Sequence, residues 1–108
     1  MRLAATALLA ALALALAPAE AATPGRVTVG DSSFKPRSIA VRKGSSVTWV
    51  WRGRARHDVY VYEGPRAGRP RACRTLLRGT CRRRFARAGR FSYICTRHGS
   101  MTGVVRVR

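Results

Sequence analysis

The chain has 108 residues, with 22 Lys and Arg against 4 Asp and Glu, and a formal charge of +18 at pH 7. That length is read as one small core. Two His in the whole chain cannot furnish a second or trinuclear metal centre. The charge, carried by 20 Arg and 2 Lys, favours anionic partners: an acidic protein, an anionic surface or nucleic acid.

Met1-Arg2 is a short basic start, and Leu3 to Ala17 is an unbroken apolar run of Leu, Ala and Thr. Pro18 and an Ala19-Glu20-Ala21 signal follow, so residues 1–21 are predicted to be a secretory signal peptide. The apolar run falls short of the roughly 20 residues that a membrane-spanning helix needs. The mature domain, residues 22–108, is expected to be exported to the periplasm, cell envelope or exterior, without a transmembrane span. An exported domain of about 87 residues commonly adds a disulfide or a metal to a small core.

Val27 to Val29 alternates apolar and polar residues and is predicted to be a strand, closed by Gly30-Asp31-Ser32-Ser33. Ile39 to Val41 is a second strand, and Lys43 to Ser46 a turn. In Val47-Thr48-Trp49-Val50-Trp51, Val47, Trp49 and Trp51 share one face. Val59 to Tyr62 is another strand, and Gly68 and Pro70 keep the following stretch irregular. Leu76-Leu77 and Arg82 to Phe85 suggest a weak edge hairpin around Gly79. Phe91 to Cys95 alternates again, and Val104 to Val107 closes the chain. About seven to eight short strands, with turn signals every 8–12 residues, predict an all-β antiparallel fold, a sandwich of Greek-key type or a barrel.

Cys95, His98 and Met101 recur at intervals of three where one strand ends and a short turn containing Gly99 begins. The mature chain holds one other imidazole, His57, at the start of the Val59 strand. A thiolate, two imidazoles and a thioether form the trigonal donor set, with weak axial sulfur, of a mononuclear copper site.

These stretches, "FKPRSIAVRKGSSVTWVW" (34–51), "HDV" (57–59) and "GRFSYICTRHGSMTGVVRV" (89–107), resemble the cupredoxins, the plastocyanin, pseudoazurin and amicyanin family of small blue copper proteins. The Cys-x₂-His-x₂-Met spacing is similar to the short amicyanin ligand loop. The resemblance implies one type 1 copper held by His57, Cys95, His98 and Met101, with Trp49, Val59, Phe91 and Tyr93 packing the frame. It also implies a non-enzymatic electron carrier, acting as a monomer between redox proteins. The cationic surface suggests that those partners dock through acidic surfaces, and no specific nucleic acid is expected.

Two positions depart from the family pattern. Asp58 stands where many relatives have Asn, with Thr96 as its expected hydrogen-bond donor across the ligand loop. Arg97 stands where many have Pro, which makes the electron-exit surface cationic. Cys73 and Cys81 are read as a disulfide in an oxidising compartment, facing each other across the Gly79 hairpin and leaving Cys95 as the odd thiol. The same ligands would also serve copper capture or delivery. A copper-free cationic sandwich that binds anionic polymers is the remaining alternative, and it lacks the exposed interleaved aromatics of a stacking platform.

Overall fold

Apolar residues at every second position become inward-facing positions on two facing sheets. The computed structural model describes residues 24–108, so the predicted signal segment lies outside the described residues. Nine strands form there: β1 (Gly25–Val29), β2 (Phe34–Lys35), β3 (Ser38–Val41), β4 (Ser46–Trp51), β5 (His57–Glu63), β6 (Cys73–Leu76), β7 (Gly79–Arg84), β8 (Gly89–Cys95) and β9 (His98–Val107). A single 3₁₀ turn, Arg66–Gly68, interrupts the long β5–β6 connection.

One sheet has the order β2-β1-β4-β7 and the other β3-β9-β8-β5-β6. The all-β sandwich is as expected, with two differences. β1 pairs with β4 and β3 with β9 in parallel, so the sandwich is mixed rather than wholly antiparallel. Parallel neighbours arise because the chain changes sheet between them, which removes the need for a hairpin. The expected β6–β7 hairpin is absent as well: β6 pairs with β5 in one sheet and β7 with β4 in the other. Leu77 and Arg78 carry the chain from sheet to sheet, and Cys73–Cys81 bridges the two strands with Cα atoms 6.0 Å apart. The disulfide is therefore a staple between layers.

Alternation decides what fills the space between the sheets. Val27 and Val29 of β1, Val47 and Trp49 of β4, and Phe91, Tyr93 and Cys95 of β8 are all buried. Aromatic edges meet aromatic faces at its centre. Tyr93 lies edge-on to Phe34 (centroids 4.8 Å) and to Trp49 (5.4 Å), and Phe85 edge-on to Phe91 (5.1 Å), the geometry that ring quadrupoles favour. A Cβ at residue 103 would collide with the Tyr93 ring, so Gly103 is what lets the phenol lie across β9. Arg82, Arg83 and Arg84 lie on β7, an edge strand, where charge opposes sheet-to-sheet aggregation.

Candidate metal centre

Three connections meet at one end of the sandwich: the 30–33 bend between β1 and β2, the 52–56 turn between β4 and β5, and the Thr96-Arg97 turn between β8 and β9. The pairings bring them together, because Trp51 ends β4 beside Val29 and antiparallel β5 and β8 place the start of one at the end of the other.

β5 begins one residue after Arg56, and His57 is its first residue, fully buried. Cys95 is the last residue of β8, on the inward face set by Phe91 and Tyr93, and is the free cysteine of the described residues. His98 opens β9 directly opposite Cys95. The sequence reading has a turn containing Gly99 between Cys95 and the Val104 strand, yet β9 already starts at His98. Ile94 pairs with Thr102 and Cys95 with His98, so residues 99–101 are extra residues on β9. This bulge turns His98 back over Cys95.

The donor atoms converge. His57 Nδ1 is 3.1 Å from His98 Nδ1, and Cys95 Sγ is 3.8 Å and 3.6 Å from the same two nitrogens. A point equidistant from three atoms at these spacings lies about 2 Å from each, the length of a metal–imidazole bond. The group is the metal-capable His/Cys/Asp/Glu cluster found among the described residues. Soft thiolate and borderline imidazoles are the donor mix that copper takes, so the residues present fit that metal. Met101, three residues beyond His98, is 1% exposed and part of the core. The rings of His57 and His98 lie at 44° with centroids 4.7 Å apart, and His98 is only half-buried whereas His57 and Cys95 are enclosed.

The frame around the donors is hydrogen-bonded. Trp51 donates its indole N–H to the carbonyl of His57 at 2.9 Å, which pins the ligand's backbone. Asp58 receives the backbone N–H of Thr96 at 2.7 Å on one carboxylate oxygen and the Thr96 hydroxyl on the other. The expected Asp58–Thr96 bond is present, and it ties the β8–β9 turn to β5. Arg97 is exposed beside His98.

Asp31 was not anticipated from the sequence. Its carboxylate accepts from the N–H of Arg54 (2.8 and 3.0 Å) and of Ala55 (2.9 Å), and lies 3.2 Å from His57 Nε2. These partners, the Ala55 amide first and then His57 and the Arg54 amide, hold its carboxyl below the usual carboxylate range. One sequence signal was available. The chain has 4 acidic residues among 22 basic ones, so each that survives in a turn merits a reason.

The family model for copper binding proteins, plastocyanin/azurin family, matches residues 24–108. No curated protein matches the chain. Among solved structures, a reduced Cu(I) form of an amicyanin mutant superposes with a TM-score of 0.68 at 25% identity, covering 79% of this chain and 82% of that one. The Cu-containing nitrite reductase from Thermus scotoductus gives 0.67 at 27% identity over 80% of this chain, but this chain spans only 22% of that enzyme. A purple cupredoxin from Nitrosopumilus maritimus gives 0.66 at 18% identity, covering 78% of this chain and 99% of that one, a likeness of fold. With the family model covering every described residue, the chain belongs to the plastocyanin/azurin family of copper-binding proteins.

Proposed function

We infer that this protein is an exported carrier of single electrons, in which His57, Cys95, His98 and Met101 would hold one type 1 copper. The observation that carries this reading is the buried triangle of two Nδ1 atoms and one Sγ, with edges of 3.1, 3.6 and 3.8 Å. Bound copper supplies a Cu(II)/Cu(I) couple. The chain's part is to keep the donors still, exclude water and offer an edge for electron exchange. Trp51 and Asp58 fix the two segments that carry the ligands, so little has to move between oxidation states. His98, half-buried next to exposed Arg97, is the ligand nearest to a docked partner.

Charge supports redox partners with acidic docking surfaces. Arg26, Arg52, Arg54 and Arg78 line one open groove of about 550 Å³ together with Trp51 and Gly53, beside the turn that leads into His57. The basic start, apolar run and Ala-x-Ala signal support export, and no helix among the described residues is long and apolar enough to cross a membrane. A monomer is the working state in this reading.

Copper delivery is the second reading, favoured by the same donors. One stopped-flow experiment with an acidic one-electron donor separates them. A carrier is reduced and reoxidised repeatedly, slows as salt rises, and keeps its copper through a chelator challenge. Fast loss of copper to the chelator, with no reversible turnover, would establish delivery instead.

A further inference from the structure

Asp31 lies 26 residues before His57 in sequence, in the bend between β1 and β2, yet its carboxylate meets the imidazole edge that faces away from Cys95. The approach is built from several sides. Two amides of the 54–55 turn donate to the carboxylate, and a Cβ at residue 53 would collide with Asp31 Oδ1, so Gly53 leaves the space it occupies. The imidazole is fully buried, whereas the carboxylate is 48% exposed, so the charge can stay hydrated while one oxygen touches the ring.

A buried imidazole facing a carboxylate through Nε2 carries its proton on Nε2. Its Nδ1 lone pair is then the one directed at Cys95 Sγ and His98 Nδ1. A carboxylate behind a ligating imidazole fixes tautomer and ring orientation and makes the ring a stronger electron donor. Stronger donation and a nearby negative charge both stabilise the more highly charged metal state. In this protein Asp58 is a second carboxylate near the same site, but it is spent on Thr96 and touches no ligand atom.

We propose that Asp31 is a positioning residue that holds His57 in its Nε2–H tautomer and, through its negative charge, shifts the bound copper's preference towards Cu(II). This rests on the copper reading above, and the test separates the two. In the metal-free protein at neutral pH, the ring ¹⁵N shifts of His57 are expected to show a protonated Nε2 and a bare Nδ1. The variant Asp31→Ala is expected to give a mixture of tautomers. In the copper-loaded protein, Asp31→Asn keeps an oxygen for the turn amides and for the ring but removes the charge. Its Cu(II)-over-Cu(I) preference is expected to fall about tenfold, a rise of about 59 mV in a one-electron potential.

A wild-type His57 protonated on Nδ1 would overturn the positioning role. A folded, copper-loaded Asp31→Asn protein with the wild-type potential would overturn the charge effect. If the Nε2–H tautomer is found but no thiolate–copper band develops, Asp31 orients the ring as proposed and it is the copper reading that fails.

Discussion

Tyr93 is enclosed by Phe34, Trp49 and Gly103, and its hydroxyl faces the Trp49 indole without completing a hydrogen bond to it. Burial pushes its phenol up to about 12 from 10.0, because the phenolate would lose its hydration. A raised folded-state value means that the contribution is fully present below pH 10 and is lost as pH climbs towards about 12. The loss over that window is about 2–3 kcal/mol. Chemical denaturation at several alkaline pH values checks this: the wild type should weaken across the window and Tyr93→Phe should not show that component. At neutral pH the Phe variant should be as stable as the wild type or slightly more so, since it buries no unpaired hydroxyl. At this scale the clustered residues were legible in the sequence. Cys95 and His98 announce themselves by type and spacing, and His57 by being the remaining imidazole. Asp31 was not legible, because its partner lies 26 residues away and only the β1–β4 pairing brings the two turns together.

The strands themselves were mostly readable, since inward residues such as Val47, Trp49, Phe91 and Tyr93 alternate with outward ones. Pairing was harder. Leu76 to Phe85 has the turn glycine of a hairpin, but β6 has His57 of β5 to pair with and β7 has Trp51 of β4. A local turn signal thus lost to two long-range pairings. The disulfide compensates for this split by tying together the two edges of the sandwich, at Cys73 and Cys81. Closing so short a loop restricts the unfolded chain by about 2–3 kcal/mol. The double variant Cys73→Ala/Cys81→Ala should lose about that much in urea denaturation while keeping the colour of the copper-loaded protein, because neither sulfur belongs to the donor triangle. Loss of the colour in a folded double variant would mean that the staple also positions β5. The bulge at residues 99–101 was also hidden from the sequence, since an excess on one strand is visible only once its partner strand is known.

For the molecule as a whole, +18 says little about fold and much about encounter. The fold is carried by a small, aromatic-rich core and one disulfide, and the two carboxylates beside the site, Asp31 on His57 and Asp58 on Thr96, are half of the chain's acidic residues. In so cationic a chain, both sit where they hold a ligand-bearing turn in place. This arrangement is organised around one claim, that Cys95 supplies a thiolate to copper between His57 and His98. Adding Cu(II) to the purified protein with its Cys73–Cys81 disulfide intact, and recording the visible spectrum, tests that claim most directly. An intense thiolate-to-copper band at one copper per chain, absent from Cys95→Ser, is the predicted result. A folded wild-type protein that takes up no copper, or develops no such band, would contradict it.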